Sequence, residues 1–229
     1  MITFGLHKNW RLAAMAIATL GLAGAAAAAG LAALVADFSS ARAQFEAGRA
    51  GSHDATERAQ QLFSQLLRKD ADNPLYLAYY GSTYTLQARD SLAPWTRIKL
   101  INQGTALLDR ALALLDHPPA AARIVVARPG SGTTALETRL VAMATFIALP
   151  DALFHRRAAA KREYQRAVAS ADFSAAPADL QGHLQYEGAL IAREEGDAAA
   201  ERAALQRVLA LAPPSINLAE VRARLAELH

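Results

Sequence analysis

The chain has 229 residues, and the roughly 190 that follow its N-terminal apolar run are enough for one domain with a substantial core. Its formal net charge is +3, but beyond residue 36 the 22 lysines and arginines are balanced by 21 acidic residues, so no clustered positive charge indicates nucleic-acid binding. The absence of cysteine excludes disulfides, thiolate metal sites and cysteine nucleophiles.

An uncharged run lies near the start of the chain, over residues 12–36. A helix of this length would reach about 37 Å, more than the roughly 30 Å hydrocarbon core of a bilayer. Residues 1–11 carry two cations and no acid, and the first acid after the run is Asp37. The positive-inside rule therefore predicts a cytoplasmic tip over 1–11, a single-pass anchor in a bacterial inner membrane, and a periplasmic domain over 37–229.

A cleaved secretory signal is the alternative for the same segment. Ala41-Arg42-Ala43 followed by Gln44 is an acceptable small-x-small cleavage site, and cleavage there would release the domain into the periplasm. Two features favour a retained anchor. The apolar run is longer than an ordinary signal core of about 7–15 residues, and Phe38, Ala41 and Phe45 form a helical stripe that cleavage would divide.

The rest of the chain is predicted to be all-α, because apolar residues recur every three or four positions and no segment alternates with period 2. One spacing recurs: a small residue, a large apolar residue four later, and an aliphatic residue three after that. Its instances are Ala59-Phe63-Leu66, Gly104-Leu108-Ala111, Ala160-Tyr164-Ala167 and the degraded Glu201-Leu205-Val208. This spacing places the three side chains on one helix face, where the small residue lets a neighbouring helix approach.

Two stretches of the chain resemble the tetratricopeptide repeat family of helix-turn-helix solenoids. Asp70–Pro74 is similar to the family's inter-repeat turn, and the following helix carries Leu77, Tyr80-Gly81 and Tyr84 at matching positions. Near the end, Gly196-Asp197, Leu205, Val208-Leu209 and Pro213 match the turn, the second helix and the closing proline. The resemblance covers residues 38–213 and implies stacked hairpins with a concave face for a partner protein.

The repeat spacing is irregular, since successive second helices lie 45, 56 and 41 residues apart, not the regular 34 of the family. We therefore expect a short α-solenoid of three to four irregular hairpins. Asn217 with Glu220 indicates the start of a last short helix, whose apolar face would cap the stack.

The candidate partner-binding residues surround the most unusual predicted loop. Tyrosines and arginines rank high among residues that carry binding energy, and Trp95 lies just beyond Arg89 in this loop. The predicted patch consists of Tyr76, Tyr80, Tyr84, Arg89 and Trp95. The alternative interpretation is structural: Trp95 would anchor the loop onto the hairpin, and Arg89 would pair with Asp90 or a helix C-terminus.

No motif indicates catalysis, a cofactor or a metal. The six histidines form no His-Glu-x-x-His zinc motif, and no serine lies in a Gly-x-Ser-x-Gly elbow. An enzyme would need distant groups such as Asp90 and His155 to converge in a buried cleft. We expect a membrane-anchored adaptor or scaffold that binds an unidentified protein in a bacterial envelope complex. The alternative is a pocket for a lipid or small ligand, lined by both Tyr80 and Trp95.

Overall fold

The computed structural model describes residues 35–117 and 131–228, and every regular element within these two ranges is a helix. The all-α prediction is therefore confirmed. The helices are α1 (residues 35–49), α2 (His53–Lys69), α3 (Pro74–Asp90), α4 (Pro94–Asp116), α5 (Ser131–Ile147), α6 (Asp151–Phe154), α7 (Arg157–Ala169), α8 (Ala171–Ala175), α9 (Ala178–Glu195), α10 (Ala198–Leu211) and α11 (Leu218–Glu227).

The predicted membrane segment, residues 12–36, lies outside the described residues except for its last two. Among the helices of 35–117 and 131–228, none combines the length and the apolar composition that crossing a bilayer requires.

The long helices pack as pairs along the chain. α3 packs against α4, α5 against α7, and α9 against α10, while α1 and α2 meet where the Arg58 guanidinium donates to the Gln44 side chain at 3.0 Å. In each pair we call the earlier helix, α1, α3, α5 or α9, the first helix. Neighbouring pairs meet through α2–α3, α3–α5 and α5–α9, and α11 packs on α10.

The small-large-aliphatic spacing lies on α2, α4, α7 and α10, the later helix of each pair, which we call the second helix. The three instances on α2, α4 and α10 are buried throughout, and on α7 Ala160 and Ala167 are buried while Tyr164 is half-buried. The face predicted from this spacing is therefore the face that each second helix turns towards the rest of the protein.

Local sequence signals set the helix starts that were predicted from them. The Asn73 side chain accepts from the backbone N–H groups of Leu75 and Tyr76, and Pro74 occupies the first helical position of α3, where its missing N–H costs nothing. At α11, the Asn217 side chain accepts from the Ala219 N–H and donates to the Glu220 carboxylate at 2.7 Å.

Two glycines allow the closest approach between helices, at the crossing of α3 and α4. A Cβ atom on Gly104 would lie 2.5 Å from the carbonyl oxygen of Gly81, and one on Gly81 would lie 2.7 Å from the carbonyl oxygen of Gly104. Because backbone faces backbone at this crossing, neither helix can accept a side chain without moving the other.

An aromatic cluster forms the core where α1, α2 and α3 meet. Tyr79 is 2% exposed; its ring stacks on Phe63 at 5.0 Å and meets Phe45 edge-on at 4.9 Å. Phe38 contacts both Phe63 and Tyr79, and Ala41 is fully buried. The helical stripe predicted across the possible cleavage site is thus part of the core.

Candidate functional site

The three tyrosines of the predicted patch lie in two different surroundings on α3. Tyr76 is half-buried and packs against Phe38 at 5.7 Å. Tyr80 and Tyr84 contact each other, with ring centroids 5.3 Å and hydroxyls 3.1 Å apart, and they line a shallow depression with Gln103, Ala106 and Leu107 of α4. Of the five predicted residues, the structure brings only Tyr80 and Tyr84 together at one depression.

Arg89 has a structural role that agrees with the alternative interpretation. Its guanidinium binds both carboxylate oxygens of Asp90, at 2.7 and 3.1 Å, and donates to the carbonyl oxygens of Gly48 and Arg49 at the end of α1, at 3.0 and 3.2 Å. The hydrogen bonds from Arg89 hold the pKa of Asp90 below its usual value. Arg89 therefore closes the C-terminus of α1 onto the end of α3.

Trp95 does not anchor the loop, so that part of the structural interpretation is wrong. Its side chain is 80% exposed at the first turn of α4, beside Leu92 and Ile98, which are 98% and 50% exposed. Trp95 is also absent from the lining of the depression at Tyr80. The ligand pocket predicted from Tyr80 together with Trp95 is therefore not the arrangement found among the described residues.

A concave feature that no single stretch of sequence indicated is a cavity of about 530 Å³. We call it the central cavity. Its lining includes Phe45 of α1, Tyr79 of α3, Leu140 of α5 and Leu180 of α9, and all four first helices contribute to it. Within the described residues, α2, α4, α7 and α10 contribute nothing to this lining.

One part of the cavity wall is apolar and another is rich in charge. The aliphatic lining comes from three first helices: Leu86, Leu140, Val141, Ile147, Leu180 and Leu190. The titratable lining residues, apart from Tyr79, are Arg42, Glu46, Arg49, Glu137, Asp179, His183 and Glu187. This combination suits a ligand group that is itself part apolar and part charged.

A hydrogen-bonded group connects α1, α3 and α5 on the polar side. The Tyr79 hydroxyl donates to Glu137 at 2.6 Å, and the Arg42 guanidinium lies 3.5 Å from the same carboxylate. Burial, followed by the neighbouring Glu137 charge, raises the pKa of Tyr79, so the phenol stays protonated. On the solvent side, Arg49 pairs with Glu46 at 3.2 Å, and both side chains are about half exposed. Both arginines of the cavity are therefore already engaged.

Glu187 differs from the other acids of the cavity because it has no hydrogen-bond or ion-pair partner among the described residues. It lies within α9, on the lining between His183 and Leu190. Burial raises the pKa of its carboxyl to about 7, and the distant charge of Arg49 only partly opposes this. Glu187 is therefore the group of the cavity whose charge is least compensated.

His183 takes part in a structural link, not in a nucleophile–base pair. Its Nε2 lies 2.7 Å from the Ser215 hydroxyl, which itself donates to Asp179 at 2.5 Å. Because the serine proton is directed to the aspartate, His183 is not placed to remove it. Burial lowers the pKa of His183, so the link joins α9 to the segment before α11 with a neutral imidazole.

Asp90 and His155 do not come together in a cleft, as an enzyme that used these two residues would have required. Asp90 binds Arg89 and lies 3.6 Å from His53, whereas His155 ends α6 in the left-handed conformation, with φ of 52°. In the described part of the chain, no three His, Asp or Glu side chains are grouped so that they could hold a metal ion.

Sequence reasoning did not identify the central cavity because its residues are spread from position 42 to position 190 on four helices. One signal was present. His183 and Glu187 are four residues apart, in a helix whose neighbouring positions are largely apolar. A lone acid on an apolar helical face indicates a buried carboxyl that requires a partner.

Comparison of the chain with protein-family models, with curated proteins and with solved structures finds no match.

Proposed function

We propose that this chain is an interaction protein of tetratricopeptide-like architecture, an adaptor or scaffold that receives its partner in the central cavity. The observation that carries the proposal is the origin of the cavity lining: among the described residues it comes from the four first helices, together with Ala148 at the end of α5 and Pro177 at the start of α9. In stacked helical hairpins, the first helices form the concave surface that binds extended or helical segments.

The burial of the second helices supports the same architecture. Each uses its repeated small-large-aliphatic face for packing, which leaves the first helices to line the concave side. α11 packs on α10, and its Val221 is buried against the last pair, as a terminal capping helix would be.

A membrane tether is the second part of the proposal. We infer that residues 12–36 hold the protein at a bacterial inner membrane with residues 37–229 in the periplasm, which would raise its effective concentration near a membrane partner. Retention rather than cleavage is supported by Phe38 and Ala41, because cleavage after Ala43 would remove both from a packed core.

The test is recovery of a partner from membranes by a chain whose cavity has been filled. Ala144 lines the cavity from α5, and Ala144→Phe would occupy the space that the proposal assigns to the partner. Ala113→Phe adds the same side chain at an exposed position of α4 and serves as the matched control. Each variant is purified from detergent-solubilised membranes, and co-purifying species are quantified by native mass spectrometry.

We expect the wild type and Ala113→Phe to retain the same stoichiometric protein and Ala144→Phe to lose it, with all three unfolding at similar temperatures. Equal recovery by Ala144→Phe would exclude the central cavity as the binding site.

A small ligand is the second candidate function, and one observation favours it: Glu187 lines the partly open central cavity with no partner among the described residues. The same mass spectra separate the two candidates. A ligand would add a mass of several hundred daltons or less to the folded chain, whereas an adaptor would add the mass of a second polypeptide.

A further inference from the structure

We propose that the central cavity binds a primary alkylammonium group, with the Glu187 carboxylate as its counter-ion and the leucine-rich wall around its alkyl chain. The inference rests on the proposed function, because it assumes that the cavity is a binding site. It adds the chemistry of the bound group.

The lining of the central cavity has an excess of negative charge, and its two arginines are already paired. Arg42 is engaged by Glu137 and Arg49 by Glu46, and Asp179 accepts a hydrogen bond from Ser215. With all its carboxylates ionised, the lining carries four negative and two positive charges. An anionic ligand would meet this negative excess and two arginines that are already paired, whereas a cation would reduce it.

The uncompensated negative charge of the cavity is located at Glu187. Glu187 is the acid for which the described residues supply neither a hydrogen bond nor an ion pair, and its side chain is half-buried on the cavity lining. An unpaired carboxylate at a partly buried site is less stable than a paired one, and a hydrogen-bonded cation is the partner that stabilises it most. An ammonium group has three N–H donors for this carboxylate.

The wall of the cavity next to Glu187 is apolar. Leu190 lies one turn further along α9, and Leu140 and Leu180 also line the cavity. The volume of about 530 Å³ lies within the range of about 300–1,000 Å³ found for small-molecule pockets. The cavity can therefore enclose an alkyl chain attached to the ammonium.

A primary ammonium fits better than a quaternary one. Quaternary ammonium groups are held by the faces of aromatic rings. The rings of Phe45 and Tyr79 pack edge-on against each other, and the Tyr79 ring is stacked on Phe63. These rings are used by the core and do not form a cage.

Binding should depend on pH, because only the ionised form of Glu187 attracts a cation. The other titratable groups that face the cavity are Arg42, Glu46 and Arg49 on α1, Tyr79 on α3, Glu137 on α5, and Asp179 and His183 on α9. Tyr79 is held protonated, and the lowered pKa of His183 keeps it largely neutral above pH 6.5. Since the pKa of Glu187 is about 7, affinity should rise about tenfold between pH 6 and pH 8 and then level off.

The experiment is isothermal titration calorimetry of the full chain in a non-ionic detergent. The probes are hexylammonium, the neutral hexanol and the anionic hexanoate, which share one alkyl chain. A second arm compares the peptide acetyl-Leu-Lys-Leu-amide with its Leu-Gln-Leu counterpart, so that a lysine side chain of a partner can be distinguished from a free amine. The variant is Glu187→Gln, and the control is Glu57→Gln at an exposed position of α2.

We expect hexylammonium to bind the wild type and Glu57→Gln equally, and to bind Glu187→Gln at least tenfold more weakly. Proton release on binding should appear as a heat that depends on the ionisation enthalpy of the buffer. Tighter binding of the lysine peptide than of hexylammonium would assign the ammonium to a partner's side chain.

Binding of hexylammonium that is unchanged in Glu187→Gln would overturn the inference. So would tighter binding of hexanol or hexanoate, although the cavity would then remain a binding site and the proposed function would stand. Failure of every probe, the lysine peptide included, would reject the inference and the cavity as a ligand site together. Because Glu187→Gln keeps the shape of the side chain and removes only a half-buried, unpaired charge, it should unfold at or above the wild-type temperature.

Discussion

At the scale of single residues, Arg89 shows that a residue type common in binding sites can instead stabilise the fold. Its guanidinium joins the end of α3 to two carbonyls at the end of α1 and to the Asp90 carboxylate. The Gly48 carbonyl also accepts from the Gly51 N–H at 3.0 Å, so Arg89 adds a second hydrogen bond there, and the Arg49 carbonyl is one of the last carbonyls of α1, which have no partner within the helix. Arg89 therefore belongs to the stability of the first two helix pairs.

Arg89→Gln should accordingly destabilise the protein by about 1–2 kcal/mol, since it removes charge-assisted hydrogen bonds at a partly exposed site. The Asp90 pKa is lowered in the folded state, so the stability from this pair is present above the unfolded value of about 3.9 and is lost as pH falls below it. The difference between the variant and the wild type should shrink below about pH 4.

Urea unfolding between pH 3 and pH 7 measures this difference, with Arg68→Gln on the exposed side of α2 as the control. Equal stability of Arg89→Gln and wild type at pH 7 would show that the contacts to α1 contribute nothing.

At the scale of helices, replacing a buried glycine by alanine should have different consequences at two helix crossings. A Cβ atom on Gly104 would meet the Gly81 carbonyl at 2.5 Å, and one on Gly188 would meet the Tyr164 ring at 2.4 Å. The carbonyl belongs to the backbone of α3 and moves only with the helix, whereas the outer end of the Tyr164 ring can rotate away.

We therefore expect Gly104→Ala to be more destabilising than Gly188→Ala, although both gain about 1 kcal/mol of helix propensity. Overpacking at the backbone contact should cost Gly104→Ala about 1–3 kcal/mol. Thermal unfolding of the two variants decides the order, and the reverse order would mean that α3 and α4 separate easily.

Helices α4, α5 and α7 are connected by an ionic network around Glu163, which is 4% exposed at its side chain. Arg139 pairs with both Glu163 and Asp116, and Arg166 contacts the same two carboxylates from a more exposed position. The side-chain exposures of the two arginines are 14% and 48%. Because both arginines contact the same two carboxylates, their variants compare a buried arginine with a more exposed one.

Arg139→Met should cost about 3–5 kcal/mol because it leaves the buried Glu163 poorly compensated, whereas Arg166→Met should cost about 1 kcal/mol or less. Urea denaturation at low and moderate salt gives both values. Similar costs for the two variants would show that the surface arginine compensates Glu163 on its own.

The elements that could be predicted from the sequence are those determined by neighbours along the chain. Asn73 with Pro74 and Asn217 set the starts of α3 and α11 locally, and the repeated spacing identified the buried face of α2 and its counterparts. The alternative interpretation, in which Trp95 anchors the loop, was wrong, since Trp95 is 80% exposed. The residues around Trp95 in the sequence do not show whether its side chain faces the core or the solvent. That outcome depends on how α3 and α4 cross.

At the scale of the whole molecule, the central cavity exists because four first helices surround one space, and no local pattern reports such an arrangement. In the sequence, Glu137 looks like an ordinary helix-surface residue, and only the apolar positions around Glu187 set that residue apart. Tertiary packing places them on the cavity lining and changes the chemistry of Glu187. The all-α class was therefore predictable from the sequence, whereas the candidate site was not.

The whole chain also makes a prediction about its N-terminus. Removal of residues up to Ala43 would take Phe38 and Ala41 out of the core, so we expect intact-mass spectrometry of the membrane-derived protein to show that this part of α1 is retained. A mature protein that begins at Gln44 would contradict both the tether and the role of Phe38 in the core.

Photo-crosslinking from inside the cavity tests the central claim most directly. A photoreactive phenylalanine analogue is placed at Leu140 on the cavity wall, and in a second preparation at Leu153, which is 71% exposed on α6. Illumination of intact cells followed by mass spectrometry then identifies the attached species. The account predicts one dominant adduct from position 140 and none of that species from position 153; an adduct equally frequent at both positions, or none at 140, would contradict it.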